Sequence, residues 1–327
     1  MSATASAWLD RLQGKRVVIW GDLVVDHTLY GDTERISREA PVLILTREWD
    51  TVTPGCAGNA AANVAALGGV PIPVGIVGDD TLGRRLLAQF EERGIDTAHV
   101  VRQKGEETAV KMRVLAGGLH TVKQQVIRID SDGEYGAVPS ATLEKHLRAA
   151  LRGADALIVS DYGIGTVREG LFSKVVRKRA LPSVIDSRHA LDAFVGATSA
   201  TPNEPELEEV ARVSVGDDDQ MLDRAARELL SRLQLEALLV TRGKRGMALF
   251  QTRRRRVDIA VARVQEIVDV TGAGDTVIAA YTLGLAAGAP YVEAARLANV
   301  AAGLAVMKRG AAAPTAEEVR AASSELR

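Results

Sequence analysis

The sequence predicts an α/β protein, a three-layer α/β/α sandwich on a mostly parallel sheet, carrying a second, smaller β-sheet. Two observations carry this reading. From about residue 140 onward, short apolar strands alternate with amphipathic helices, which implies parallel strands covered on both faces. Two other segments, Val42 to Arg47 and Thr108 to Asp130, read as alternating strands that fit no helix-rich layer, and they form the small sheet inserted into the main domain.

Taken in order, Trp8 to Leu12 is a short helix and Arg16–Trp20 a buried strand ended by Gly21-Asp22. Gly58 to Leu67 is a small-residue helix, followed by a strand at Ile72 to Val77 and a helix at Asp80 to Arg93. Val110-Lys111-Met112-Arg113-Val114 alternates apolar and basic residues, with Gly117-Gly118 as the hairpin turn. Then come a helix (Ser140 to Leu151), a strand (Ala156 to Ser160), a helix (Val167 to Arg179) and a strand (Ser183 to Asp186). Helices at Glu204 to Ala211 and Asp219 to Leu233 precede strands at Ala237 to Thr241 and Met247 to Gln251. Helices at Thr276 to Ala287, Tyr291 to Met307 and Thr315 to Glu325 close the chain. With no repeat and no Pro/Gly/Ser-rich linker, residues 1–327 read as one domain, its small sheet drawn from about 28–50 and 104–130.

A chain 46% hydrophobic and 25% charged can bury a sizeable core, and a net charge of -1 gives no long-range attraction to nucleic acid or anionic lipid. Arg253–Arg256 therefore reads as a solvated hairpin tip rather than a nucleic-acid patch. One cysteine, Cys56, excludes a disulfide framework and reads as a small buried residue. Without an apolar leader or a bilayer-length apolar run, the expectation is a cytoplasmic protein with no membrane partner.

The chemistry gathers at Glu266–Ile278. An apolar, β-branched run stops at Thr271-Gly272-Ala273-Gly274, where a helix begins with Asp275 in its first turn. The first N–H groups of a helix bind anions, and Gly272 and Gly274 let a phosphoryl oxygen approach them. A carboxylate in such a turn makes sense as the base that takes a proton from a hydroxyl attacking phosphorus. The Walker loop, the dinucleotide fingerprint and the protein-kinase signatures are all absent, so the phosphate-binding glycines are these late ones.

On these residues the sequence resembles the ribokinase-like (PfkB) family of sugar kinases over nearly its whole length. The marks are Pro54-Gly55-Cys56-Ala57-Gly58-Asn59 with Asn63, and Asp269-Val270-Thr271-Gly272-Ala273-Gly274-Asp275-Thr276. Within the family it is most similar to kinases of D-glycero-D-manno-heptose 7-phosphate. That likeness rests on Gly21-Asp22 with Asp26 and Tyr30-Gly31, Arg35-Ile36-Ser37-Arg38-Glu39-Ala40-Pro41, Val159-Ser160-Asp161-Tyr162 and Thr201-Pro202-Asn203. The resemblance implies a β-sheet lid over the sugar, lids paired in a homodimer, Asp275 as base, and Gly272, Ala273 and Gly274 as the anion hole. It places Asp26, Asn59 and Asp161 on the sugar side. Arg35, Lys111, Arg113 and Arg128 are candidates for a phosphate already on the substrate. On the ATP side it places Asn203, Thr241, Gly243, Gly246, Asn299, Asp186 and Arg188, with Glu206 organising Mg²⁺ through water.

Three departures stand out: Cys56 in place of a second glycine, Asp186-Ser187-Arg188 in place of Asp-Pro-Lys, and Gly310-Ala311-Ala312-Ala313 in place of a Gly-Thr-Ser type of loop. The last argues against K⁺ activation. The expected activity is ATP-dependent phosphorylation of the heptose 7-phosphate at its anomeric hydroxyl. The alternatives are another PfkB substrate (a fructose phosphate, a pentose or a nucleoside) or a catalytically silent sensor on the same fold.

Overall fold

In the computed structural model, Arg16–Gly21 (β1) is the strand on which the architecture turns; its Val17, Val18, Ile19 and Trp20 are wholly buried. The described residues are 3–118, 123–133, 135–168, 170–177, 180–262 and 266–325, without the side chains of 3–6, 34–35 and 324–325. Val70–Gly78 (β4) lies parallel on one side of β1 and Ala156–Asp161 (β8) parallel on the other. Beyond β4 is Val100–Gln103 (β5). Beyond β8 come Ser183–Ser187 (β9), Ser199–Ala200 (β10), Ala237–Thr241 (β11), Met247–Gln251 (β12) and Val257–Ile259 (β13). Every pairing in this nine-stranded sheet is parallel except β11 with β12 and β12 with β13.

Apolar clusters cover both faces. One joins Ala57–Ala66 (α2), Ala273–Ala286 (α7) and Tyr291–Ala305 (α8), with Ala3–Leu12 (α1) and Ala316–Glu325 (α9) alongside. Thr81–Glu92 (α3) adds Leu86, Leu87 and Phe90 to that face. The other face takes Ser140–Ala150 (α4), Glu204–Ala211 (α5) and Asp219–Arg232 (α6). α7 is apolar nearly all round, as a fully buried helix must be. Gly284 lets it close on α8, since a Cβ there would stand 3.1 Å from the Ala294 Cβ.

The small sheet holds Leu23–Ile36 (β2), Leu43–Cys56 (β3), Val110–Gly117 (β6) and Gln124–Ser131 (β7), in the order β3-β2-β6-β7. Here the structure extends the sequence reading. Gly21-Asp22 does not end the strand region; the chain turns one corner at Asp22 and continues extended for fourteen residues. The Asp22 carboxylate is buried and accepts N–H bonds from Tyr162 (2.8 Å), Ile164 (3.2 Å) and Thr166 (3.0 Å), tying that corner to the loop after β8. Asp80 anchors the other entry, accepting from the Thr108 hydroxyl at 2.7 Å and the Thr108 N–H at 3.0 Å. Arg85 of α3 pairs with Asp50 of β3 at 2.8 Å, and His27 meets the same carboxylate at 2.9 Å.

One sequence reading needs correction. The helix expected over Val167 to Arg179 is only a wide helical turn at Phe172–Val176 among the described residues, because Gly170 has a φ of 79° and interrupts the helix ahead of it. The run Glu266 to Val270 pairs with no strand among the described residues. Its Ile267 and Val270 are 63% and 67% exposed, and its backbone is fastened to the Val306 carbonyl. The Arg253–Arg256 stretch is a hairpin tip between β12 and β13, with Arg256 paired to Asp219, Asp223 and Asp258.

Candidate active site

Parallel strands end on the same edge of a sheet, and in a doubly wound fold the crevice opens where strand order reverses. That point here is β1. Along the carboxyl ends of β8, β9, β10 and β11 the chain presents Asp161, Asp186, Thr201 and Thr241. The N-terminus of α7 faces them, and β2 and β6 of the small sheet hang over the gap. The resulting cleft is about 330 Å³. It is lined by Asp26, Lys111, Arg113, Arg128, Asp161, Asp186, Arg188, Asn203, Glu206, Thr241 and Gly272–Asp275, all singled out from the sequence, together with Cys56, Tyr162, Thr201, Val270 and Thr271. A second hollow, about 640 Å³, continues under the small sheet past Asp26 and Arg113 toward Lys123 and Arg309.

Asp275 sits in the first turn of α7 and is 4% exposed. Asn59 Nδ2 donates to its Oδ2 at 2.9 Å and the Tyr162 hydroxyl to its Oδ1 at 3.1 Å. Burial is the main influence on this carboxyl and raises it to about 6; the two donors and Lys111 pull the other way, while Asp26 adds to the rise. A carboxylate poised there accepts a proton readily near neutral pH. Gly272 caps the helix with a φ of 76°, and a Cβ at that point would stand 2.4 Å from Asn59 Nδ2. At Gly274 a Cβ would meet nothing within 4 Å, so the space over the helix start is open.

Asn59, expected on the sugar side, lies beneath the cleft. Its amide also donates to the Gly272 carbonyl at 3.4 Å, and its oxygen takes the Asn63 amide at 3.1 Å. Both polar atoms are thus engaged in holding Asp275 and the turn. On the small sheet, Asp26 pairs with Arg113, and Gly55 is required opposite, since a Cβ there would come within 2.6 Å of Asp26 Oδ2. Arg128, the cross-strand neighbour of Arg113, holds Asp130 with two bonds of 2.7 Å. Lys111 Nζ lies 2.9 Å from Cys56 Sγ and 4.4 Å from the centre of the Tyr162 ring. Among the described residues no carboxylate is within ion-pair distance of it. Cys56 is 4% exposed, and burial pushes its thiol up, which keeps it a protonated packing group. The side chain of Arg35 lies outside the described residues.

Across the cleft, Asn203 and Glu206 form a reciprocal cap of α5. Glu206 N–H donates to Asn203 Oδ1 at 2.8 Å and Asn203 N–H to Glu206 Oε2 at 2.9 Å. The Glu206 carboxyl is raised chiefly by burial, and that of Asp186 well raised by burial and then by Glu206 and Asp275. Two crowded, desolvated carboxyls are a donor set that fits a divalent cation, although no group of three or more metal-ligating side chains occurs among the described residues. Asp161 is used internally, accepting from Ser187 Oγ at 2.7 Å and Gly163 N–H at 3.1 Å. Arg188 rests over the Tyr162 ring at 5.3 Å. Gly243, Gly246 and Asn299 do not line this cleft. The two glycines shape the turn from β11 to β12, and Asn299 donates to the Ala260 carbonyl at 2.9 Å.

Sequence reasoning assigned no role to Tyr162, Asn63 or Asp22. The signal for Asp22 was available, as an aspartate at a strand end beside a glycine. The signal for Tyr162 was not, since nothing local tells which carboxylate its hydroxyl will meet.

A buried carboxyl with a raised pKa at a glycine-rich helix start, between a cationic and an acidic wall, is an arrangement suited to phosphoryl transfer. The family match gives the class, an ATP-dependent carbohydrate kinase. Residues 15–318 match the pfkB family of carbohydrate kinases, and the chain belongs to that family. It is 39% identical over 318 residues to the bifunctional protein HldE of Mesorhizobium japonicum, covering 95% of this chain and 62% of that protein. It is likewise 39% identical over 316 residues to HldE of Hahella chejuensis, covering 96% and 64%. The chain thus spans under two thirds of the length of these relatives. In structure it is similar to Arabidopsis thaliana ribokinase complexed with ribose and ATP, with TM-score 0.76, 20% identity, and 95% and 99% of the two chains covered. It is similar also to phosphofructokinase-2 of Escherichia coli in complex with potassium, with TM-score 0.75, 18% identity, and 96% and 99% covered. Among the described residues no helix is long and apolar enough to cross a membrane.

Proposed function

We propose that this kinase phosphorylates the anomeric hydroxyl of a sugar that already bears a phosphate, D-glycero-D-manno-heptose 7-phosphate being the substrate that fits best. The observation that carries the proposal is Lys111. It is an ammonium in the cleft beside a thiol and a ring, with no carboxylate within ion-pair distance among the described residues, on the same lid strand as Arg113 and next to the strand of Arg128. Such a group calls for an anionic acceptor, which a neutral pentose or nucleoside does not provide. The Arg35 to Pro41 stretch and the HldE relatives favour heptose over fructose phosphate.

In this reading Asp26 orients the acceptor hydroxyls, and Asp275 removes the proton from the attacking one. The N–H groups at Gly272, Ala273 and Gly274 stabilise charge on the transferring group as it develops. Asn203, Asp186, Arg188 and Thr241 border the ATP phosphates, and Asn299 with the Gly243–Gly246 turn borders the base. Glu206, with Asp186 beside it, would organise Mg²⁺ through water, an ion whose chemistry is to neutralise phosphoryl oxygens. The Gly310–Ala313 loop gives no support for K⁺. The lid's exposed Ile36, Leu43, Trp49, Ile127 and Ile129 favour pairing of two copies through the lids.

The test is ATP consumption with a panel of acceptors. Turnover with heptose 7-phosphate should exceed that with ribose or adenosine by at least about 100-fold, as loss of a charge-assisted contact predicts, and should also exceed that with fructose 6-phosphate. Equal turnover with ribose would sink the substrate assignment.

A further inference from the structure

We propose that Tyr162 is a positioning residue for the base: its hydroxyl fixes one oxygen of Asp275, and its ring is the seat on which the lid's Lys111 rests. The inference depends on the reading of Asp275 as base and adds to it a link between lid and base.

Two features make the ring a fixed support. Its backbone N–H is held at 2.8 Å by the buried Asp22 carboxylate, which also holds Ile164 and Thr166. Its hydroxyl meets Asp275 Oδ1 at 3.1 Å while Asn59 meets Oδ2 at 2.9 Å, so the plane of the carboxylate is set from both sides. Each oxygen keeps a second lone pair for an incoming hydroxyl proton. Neither donor is itself an acid in this range: the phenol is held well above its usual pKa, first by burial and then by the Asp275 charge. Proton transfer is therefore directed to Asp275 and not through it to the tyrosine.

The ring does the second task. Lys111 of β6 stands over it at 4.4 Å and Arg188, just after β9, at 5.3 Å. One belongs to the lid and acceptor wall, the other to the wall assigned to ATP. Tyr162 is the contact they share, so one side chain offers its ring to the lid and its hydroxyl to Asp275.

Tyr162→Phe keeps the ring and removes the bond. The other titratable groups facing Asp275, which are Asp26 of β2, Cys56 of β3, Lys111 of β6 and Asp186 of β9, are unchanged by it. Losing a donor to a carboxylate raises its proton affinity, so the acid limb of the kcat–pH profile should move up by about one pH unit, with kcat about twofold lower at pH 7, about tenfold lower on the acid side of the limb, and KM within about twofold. Tyr162→Leu, which also removes the seat for Lys111, should in addition raise the acceptor KM about fivefold or more, as loss of a cation–π contact predicts. An unmoved acid limb in Tyr162→Phe, whatever its kcat, overturns the proposal, as does an acceptor KM in Tyr162→Leu equal to that of Tyr162→Phe. Asp275→Asn run alongside separates the two failures. If that variant turns over, the base assignment itself fails; if it is inactive while the Tyr162→Phe limb stays put, only the positioning role fails.

Discussion

At the scale of single residues, Asp275 combines two demands that oppose each other. The role of base proposed for it asks for a carboxylate, and burial penalises one. With its folded pKa at about 6, above the ordinary aspartate value, the group favours the folded state below the unfolded pKa and gives that contribution up as pH rises through 6. At pH 8, where the carboxyl is ionised in both states, holding the charge in the fold costs about 3 kcal/mol. Asparagine fits the same place: its oxygen accepts from Asn59, and its amide donates to the Tyr162 hydroxyl, which can accept as well as donate. Asp275→Asn should therefore abolish turnover, keep acceptor binding and melt several degrees higher at pH 8. The gap to wild type should narrow as pH falls below 6, and scanning calorimetry across that range checks the sign.

At the scale of elements, the turn entering α7 and the end of β3 work as a pair. Gly272 makes room for Asn59, and Gly55 makes room for the Asp26 carboxylate. Gly272→Ala would drive its methyl into the amide that holds the Asp275 carboxylate and strain a left-handed backbone, so on the proposed function kcat should fall about 100-fold, the scale of losing one oxyanion-type donor. Gly55→Ala would displace Asp26, and there the acceptor KM should rise more than kcat falls; steady-state kinetics with the acceptor varied tells the two apart. The glycines of both turns were legible in the sequence, because a missing side chain beside a polar residue is a local signal. The reach of β2 was not. Gly-Asp is an ordinary strand ending, and only the three N–H groups gathered on Asp22 from residues 162–166 make it a corner instead. The helix expected after Val167 failed for the converse reason, since its apolar spacing is real but Gly170 adopts a backbone that a helix cannot.

At the scale of the whole molecule, the alternation of strands and helices was enough to predict a parallel sheet and a separate small one. It could not predict that Asn59 and Tyr162, from distant parts of the chain, would meet Asp275 at 2.9 and 3.1 Å; that follows from the strand order around β1. The lid carries the remaining open surface. If two copies pair there, sedimentation velocity at micromolar concentration should give twice the chain mass, and Ile127→Glu should return it to one. A single-mass species for the unaltered chain would exclude the pairing.

The continuity of β1 with β2 sets how this lid can move. With Asp22 pinned, the small sheet can tilt about that corner as a pivot, held also by Asp80 at Thr108 and by β3 running straight into α2 at Cys56–Ala57. Asp26 lies four residues from that pivot and Ile36 fourteen, or about 13 Å and 46 Å along an extended strand. A rotation of about 10° would then shift Asp26 by roughly 2 Å while the far end sweeps roughly 8 Å. The geometry is that of a short lever arm at Asp26, which the proposed function sets beside the sugar, and a long one at the entrance. A tilt that opens the far end by several ångströms already moves Asp26 by more than a hydrogen bond tolerates, so on that reading release of product and alignment of substrate answer to the same hinge with different gain.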